Sequence, residues 1–149
     1  MLCVGGIDQP RDGQGNKLTD VDGNELVDPV FADTFLFRWN AKTNALSRLD
    51  LPPLPVPSVN GAAAVVGDKA YIVVGQTGTG LDSATDRVFA LDLGRLSVNA
   101  AGALEIAEKK DGDGFAVGVW EEVAPVPGGA RAYAMAAAQH NGRAECLYV

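Results

Sequence analysis

One ordered set of short motifs occurs twice along this chain, and this internal repeat limits the fold more than any other sequence feature. Val4-Gly5 matches Val74-Gly75 after 70 residues, and Asn40 matches Asp92 after 52 residues. The order of the motifs is kept while their spacing changes, so the loops between matching elements differ in length. Repeats of this size are typical of proteins whose structural units stack on one another. We therefore expect successive copies of one unit.

Three further matches complete the repeating unit. They pair Leu46 with Trp120, Leu54-Pro55 with Val126-Pro127, and Tyr71-Ile72-Val73 with Leu147-Tyr148-Val149. Residues 7–32 form a long loop in the first copy, and residues 94–118 form an insertion in the second. Each unit is predicted to hold four strands, which we call a, b, c and d in chain order.

Two β-hairpins are predicted from short apolar runs joined by turn residues. Ala62–Val66 leads through Gly67-Asp68-Lys69 into Ala70–Gly75. Near the end, the run Tyr133–Ala138 leads through Asn141-Gly142, two residues that tolerate positive φ, into Cys146–Val149. Alanine runs also favour helix, but this one is short and follows the pattern of residues 61–75, so we predict strand.

Longer strands lie between these hairpins and end in proline-rich loops. The predicted strands are Thr34–Trp39 with Leu46–Leu49, and Arg87–Leu93 with Val119–Val123. The loops at 51–57 and 124–127 contain several prolines. Proline cannot donate to a strand ladder, so both loops are expected to leave the sheet.

Composition excludes several classes of protein. The net charge is −7, which disfavours a nucleic-acid binder and a basic protein of the membrane surface. With 47% hydrophobic residues the chain is too apolar to be a disordered tail. Its apolar runs, such as 61–67, are too short to span a bilayer. Cys3 and Cys146 are too few to define a disulfide scaffold.

The sequence predicts neither a metal site nor a cofactor. Asp20–Glu25 has the composition of a calcium loop, but setting Gly23 at position 6 places Leu18 at position 1 and Pro29 at position 12. We expect a solvated acidic turn there, and a charged surface tip at 108–114. The one histidine, His140, is predicted to lie in a turn, which argues against a histidine-based catalytic centre.

The repeat resembles the kelch unit of β-propeller proteins. In that family a strand of small apolar residues pairs with a strand that ends in two glycines. A segment like Tyr-Asp-Pro-x-Thr-Asn-x-Trp and a leucine-proline exit follow. Val4-Gly5-Gly6, Trp39–Leu46 and Leu54-Pro55 fit these parts in the first copy, with Leu46 in place of tryptophan. In the second copy, Gly75-Gln76 keeps one glycine and Trp120 supplies the tryptophan.

The resemblance implies an all-β fold, a kelch-type β-propeller with about two four-stranded blades of an incomplete ring. Residues 1–50 would be the rest of one blade, 61–123 a full blade and 131–149 the start of the next. No glycine pair follows Val149, so we expect a piece of a longer protein whose remaining blades complete the ring. Two blades alone leave apolar faces and sheet edges open.

Propellers of this kind usually bind ligands where the d–a and b–c loops meet the channel. The substrate-binding candidates at that mouth are Arg131, Asn60, Gln76 and Tyr133. A guanidinium binds carboxylates through two parallel hydrogen bonds, and an asparagine amide can bind a sugar hydroxyl. Inter-blade contacts for Arg131 and turn capping for Asn60 are the structural alternatives. We expect a small sugar or sugar acid as ligand, and neither nucleic acid nor membrane.

The long, irregular loops resemble those of the bacterial sialic acid mutarotase branch of the kelch family. That resemblance implies interconversion of the anomers of N-acetylneuraminate, and a periplasmic or secreted location. The catalytic acid and base are left unassigned. The alternative is a non-catalytic kelch scaffold for protein interactions, although its repeats are usually tighter. A galactose-oxidase-like copper enzyme is a third possibility, for which Tyr133 alone gives no support.

Overall fold

The computed structural model describes residues 1–26, 28–101, 104–108, 110, 112–113 and 118–149. Its regular structure is all β, apart from two single turns of 3-10 helix at Leu81–Ser83 and Leu93–Arg95. The strands are β1 (Leu2–Ile7), β2 (Val30–Asn40), β3 (Ala45–Leu51), β4 (Ala62–Val66), β5 (Lys69–Val73), β6 (Val88–Asp92), β7 (Leu96–Val98), β8 (Leu104–Ile106), β9 (Trp120–Val123), β10 (Ala137–His140) and β11 (Glu145–Tyr148). In this part of the chain, no helix has the length and apolarity needed to cross a membrane.

The strands form four antiparallel sheets that follow the order of the chain. The first sheet is β1-β2-β3, and the central sheet is β4-β5-β6-β9. The insertion between β6 and β9 forms the small hairpin β7-β8, and the chain finishes in the last hairpin β10-β11. The described pairings join strands that follow one another in the chain, except that β6 pairs with β9 across the β7-β8 insertion, as expected of a meander with one inserted hairpin.

Most strand predictions are confirmed. The hairpin β4-β5 turns at Gly67-Asp68, and β10-β11 turns at Asn141-Gly142. The prolines of both loops lie outside the strands, and the first loop leaves the sheet after Leu51, the last residue of β3. The predicted strand Tyr133–Ala138 is wrong in its first four residues, because β10 begins at Ala137. The backbone of Tyr133 has φ = 57°, a left-handed conformation outside the extended range of regular strands. The predicted tip at 108–114 lies partly outside the described residues.

The internal repeat recurs in the hydrogen-bonding of the backbone. Leu54 N donates to Ala32 O, and the matching Val126 N donates to Asp86 O, both at 2.8 Å. Trp39 pairs across the strands with Leu46, as Leu91 does with Trp120. Gly5 and Gly75, matched in the sequence, both have positive φ. The two copies therefore share backbone geometry as well as motif order.

The matched residues Asn40 and Asp92 have the same local role. Each ends a strand and accepts a hydrogen bond from the backbone amide two residues later, Lys42 N at 3.0 Å and Gly94 N at 2.9 Å. Short polar side chains form such turns because they can hydrogen-bond their own backbone two residues on. This explains why an amide and an acid are interchangeable at this point of the repeat.

The central sheet is covered on both faces. On β5, Ala70 and Ile72 belong to clusters shared with the first sheet, while Tyr71 and Val73 belong to a cluster with Val149 on the opposite side. This alternation follows from the two-residue period of a strand. The first cluster also includes apolar residues of the insertion, namely Leu93, Leu96 and Ile106. The two sheets and the last hairpin are therefore layers of one stack.

A tryptophan joins the first and central sheets. Trp120 of β9 packs against two core clusters, and its indole Nε1 donates to Pro52 O at 2.9 Å. Trp39 lies on the outer side of the first sheet, where 56% of it is exposed, and its cross-strand partner Leu46 is 58% exposed. The aromatic residues Phe35 and Phe37 alternate with the inward-facing Leu36 along the same strand, with ring centroids 5.2 Å apart.

Replacing Trp120 with phenylalanine removes the indole donor and leaves Pro52 O without that partner. We expect Trp120→Phe to lower the free energy of unfolding by about 1–2 kcal/mol. The matched control Trp39→Phe, at an exposed site, is expected to change it by less than about 0.5 kcal/mol. Urea unfolding followed by circular dichroism measures both. Equal effects of the two substitutions would contradict the role assigned to Trp120.

Candidate functional site

The four predicted ligand residues lie at one end of the strands of the central sheet, where backbone pairing connects their segments. Isolated bridges join Val59 with Gln76, Gln76 with Ala84, and Thr85 with Arg131. Tyr133 N donates to Asn60 O at 2.8 Å. We call Asn60, Gln76, Arg131 and Tyr133 the polar edge. The sequence pattern therefore selected residues that are close in space, although it did not identify how each is held.

Gln76 and Asn60 bind each other. The Asn60 side-chain amide donates to Gln76 Oε1 at 2.8 Å, and Gln76 Nε2 donates to Gly80 O at 2.7 Å. Only 1% of Gln76 is exposed. A buried amide with both ends satisfied fixes the neighbouring loop, since leaving either end unpaired costs free energy. The geometry assigns Gln76 a structural role, with Asn60 at the more accessible end of the pair.

Asn60 and Tyr133 share a left-handed backbone conformation. Both adopt left-handed φ, 54° for Asn60 and 57° for Tyr133. Asparagine tolerates this conformation, whereas it is uncommon for a bulky residue such as tyrosine. Tyr133 is also 71% exposed. Backbone strain of this kind clusters at ligand sites and turns.

Arg131 carries the positive charge of the polar edge. Its backbone amide donates to Thr85 O at 3.3 Å, and its guanidinium donates to Pro127 O at 2.6 Å and Gly129 O at 3.4 Å. The ion pairs found within the described ranges do not include Arg131. The side chain is thus oriented by carbonyl groups, which leave its charge available to an anion.

A second arginine near this edge is already engaged. The guanidinium of Arg87 donates to both carboxylate oxygens of Glu122, at 2.7 and 2.9 Å, and lies over the ring of Phe89. The hydrogen bond from Arg87 lowers the pKa of the Glu122 carboxyl group. Arg87 therefore links the start of β6 to β9 through an ion pair, whereas the guanidinium of Arg131 donates to carbonyl oxygens.

The long loop contains a tandem repeat that comparison with calcium-loop spacing does not detect. Asp12–Thr19 and Asp20–Val27 share the eight-residue pattern Asp-x-x-Gly-Asn-x-Leu-x. Their hydrogen bonds repeat at the same period: Leu18 N donates to Pro10 O, and Leu26 N donates to Leu18 O. A search for short periods, rather than for calcium-loop spacing, would have found it.

Each octapeptide is held by its own aspartate. The Asp12 carboxylate accepts from the amides of Gln14 and Asn16, and Asp20 does the same with Asp22 and Asn24. Hydrogen bonds from Asn16 lower the pKa of Asp12, and those from Asn24 lower that of Asp20. The carboxylates therefore organise turns. Among the described side chains, no group of three His, Cys, Asp or Glu residues is arranged to hold a metal ion.

Two cavities adjoin the polar edge. One, of about 350 Å³, lies between β1 and β4 and is lined in part by Asn60 and Ser58. The other, of about 540 Å³, lies between the central sheet and β11. Its walls are mainly apolar, with Tyr71, Tyr148 and Val126 among them, and Arg131 also lines it. Both volumes fall in the range of about 300–1,000 Å³ that is usual for ligand pockets.

Comparison of the chain with protein-family models, with curated proteins and with solved structures finds no match.

Gly75 stands where the backbone of the polar edge leaves no room for a side chain. A Cβ atom there would lie 2.6 Å from the carbonyl group of Asn60, whereas one at Gly142 would meet nothing within 4 Å. Both glycines have positive φ. We expect Gly75→Ala to destabilise the protein by about 1–3 kcal/mol more than Gly142→Ala, because only the former adds a steric clash to the backbone cost. Thermal unfolding of both variants measures this difference, and similar losses would contradict it.

The octapeptide turns are expected to loosen in acid. Because the folded pKa of Asp12 and Asp20 lies below the ordinary value of 3.8, their carboxylates stabilise the turns at higher pH. That stabilisation is lost as the pH falls below 3.8 through the lowered values. NMR titration of the Asn16 and Asn24 amides is expected to give midpoints below 3.8. Asp12→Asn should abolish the Asn16 midpoint and leave that of Asn24. Midpoints above 3.8 would contradict this assignment.

Proposed function

We propose that this chain forms part of a kelch-type β-propeller and that the polar edge binds a small sugar or sugar acid at the channel mouth. The repeat supports the propeller: its matching pairs recur in two sheets, and the central sheet holds four antiparallel strands in chain order. Stacked four-stranded antiparallel sheets are the units of propellers.

The ligand proposal depends on one observation, the set of hydrogen-bond partners of the Arg131 guanidinium. This group is oriented by Pro127 O and Gly129 O rather than by a carboxylate of the described chain. In a protein of net charge −7, an oriented cation without an acidic partner is a favourable place for a carboxylate ligand. Asn60 and the exposed Tyr133, joined by the hydrogen bond from Tyr133 N to Asn60 O, add an amide and an aromatic ring to the same polar edge.

The proposed reaction is the interconversion of N-acetylneuraminate anomers. Ring opening requires a base that takes the proton of the anomeric hydroxyl group and an acid that protonates the ring oxygen. Arg131 would hold the carboxylate of the sugar acid, Asn60 would bind a hydroxyl group, and Tyr133 would present its ring to the sugar. Gln76 would keep Asn60 in place through their 2.8 Å hydrogen bond.

A scaffold for protein interactions is the second candidate, and one observation favours it. The outer face of the first sheet exposes Trp39 and Leu46 beside the aromatic pair Phe35 and Phe37. Exposed apolar surface of this kind often marks an interaction site. The interaction surface would then be this outer face, on the side of the first sheet away from the central sheet.

The two proposed functions predict different behaviour with a sugar acid: a mutarotase accelerates the interconversion of its anomers, whereas an interaction scaffold does not. The protein is added to freshly dissolved α-N-acetylneuraminate, and NMR follows the ratio of the anomers. We expect approach to equilibrium faster than in buffer. An unchanged rate would remove the mutarotase proposal, while saturable binding without acceleration would leave a sugar-binding protein.

Arg131→Ala is expected to weaken binding of the sugar acid by about 2–4 kcal/mol, because it removes the cation that pairs with the carboxylate. The matched control is Arg143→Ala, which removes an exposed arginine from the β10-β11 turn. Titration calorimetry measures both variants. Equal affinities of Arg131→Ala and the unaltered protein would exclude Arg131 as the carboxylate site.

A further inference from the structure

The turn of the last hairpin holds an asparagine-glycine pair whose neighbours hydrogen-bond to two of its groups. Asn141 and Gly142 follow β10 directly, and both are exposed. The backbone N–H of Gly142 donates to Nδ1 of His140 at 3.0 Å. The side-chain oxygen of Asn141 accepts from the backbone amides of Arg143 and Ala144, both at 2.9 Å. The turn therefore places a basic nitrogen on one group of the pair and two N–H donors on the other.

These two groups are the ones that react when an asparagine loses ammonia. The backbone nitrogen that follows the asparagine attacks the side-chain carbonyl carbon, and it becomes a nucleophile only as its proton is removed, so a base on that N–H accelerates the attack. The carbonyl oxygen gains negative charge in the attack, and N–H donors directed at it stabilise that charge. Glycine hinders the attack least, because it has no Cβ and its backbone is free to rotate.

We propose that Asn141 is a site of self-catalysed deamidation in which His140 is the base. Nδ1 of His140 takes the proton from Gly142 N while that nitrogen forms a bond to Cγ of Asn141. The bond between Cγ and Nδ2 then breaks, and Nδ2 leaves as ammonia with the proton that the imidazole returns. Water opens the resulting succinimide at either of its carbonyl groups, which yields aspartate or isoaspartate. The net reaction consumes one water molecule and releases one ammonia molecule.

The product differs from the original turn in charge and in length. Both aspartate and isoaspartate add a negative charge. Isoaspartate also leads the main chain through the former side chain, which adds one methylene to the loop between the paired residues His140 and Glu145. Because the turn fixes the register of a hairpin, the longer loop would loosen the pairing of β10 with β11. The proposal is independent of any ligand at the polar edge.

A second asparagine-glycine pair, Asn60-Gly61, provides an internal comparison. Nδ2 of Asn60 donates to Gln76 Oε1 at 2.8 Å, which holds the leaving group in place. Asn60 is half-buried, and a Cβ atom at Gly61 would lie 2.3 Å from Val73 O. Such a crowded backbone resists the rotation that the attack requires. The two pairs have the same residue types, so a difference between their rates measures the effect of the structure.

The rate of deamidation in the folded protein tests the proposal. The 149-residue chain and a synthetic peptide of residues 137–145 are incubated at neutral pH, and peptide mass spectrometry follows the conversion of amide to acid at each asparagine. We expect Asn141 of the folded chain to react at least about tenfold faster than Asn60, and at least about tenfold faster than Asn141 of the peptide, in which the base is not fixed. A rate in the folded chain equal to or below that of the peptide, or equal to that of Asn60, would overturn the proposal.

Replacing the histidine tests the base itself. In His140→Asn the new side-chain oxygen can still accept the amide hydrogen two residues on, which keeps the turn, but an amide oxygen does not take up a proton at neutral pH. We expect the rate at Asn141 to fall at least about tenfold. The control Gln139→Ala removes an exposed neighbouring side chain of β10 and is expected to leave the rate unchanged. An unchanged rate in His140→Asn, or an equal fall in both variants, would overturn the assignment of His140 as the base.

Discussion

The structure depends on the burial of the central sheet between two neighbours. Its middle strands contribute residues with almost no exposure, such as Phe89 and Leu91 on one face and Val73 on the other. Burying apolar side chains is the main favourable contribution to folding, and each such side chain contributes about 1.5–3 kcal/mol. The first sheet and the last hairpin are needed to cover these faces, so the layers stabilise one another.

Neighbouring layers are also joined through their loops. Leu54 and Val126 place the two proline loops against the next layer, and Trp120 adds a hydrogen bond to the first of them. The backbone of the polar edge continues this connection, because Asn60 accepts the amide hydrogen of Tyr133 from the following repeat. The candidate site is therefore built from the same contacts that hold successive units together, and its geometry depends on them.

The sequence predicted the features that follow from local pattern. Turn residues located the hairpins at Gly67-Asp68 and Asn141-Gly142, and the ordered motifs gave the repeat. Contacts between distant residues decided the rest. The alanine run near Tyr133 has an ordinary strand pattern, but its first four residues lie outside β10, where Tyr133 has left-handed φ and donates its amide to Asn60 O. Nor does residue type distinguish Arg87, bound to Glu122, from Arg131, bound to carbonyl groups.

The octapeptide loop gives this fold a way to change length in fixed steps. Each eight-residue turn brings the chain back to within one hydrogen bond of its own start, as Leu18 does with Pro10 and Leu26 with Leu18. Duplicating or deleting a whole eight-residue turn would shift the end of the loop by the length of one turn. The backbone hydrogen bond that closes each remaining turn would be kept. Gene rearrangements in multiples of 24 nucleotides are therefore the ones this segment would tolerate best, since eight codons encode one turn.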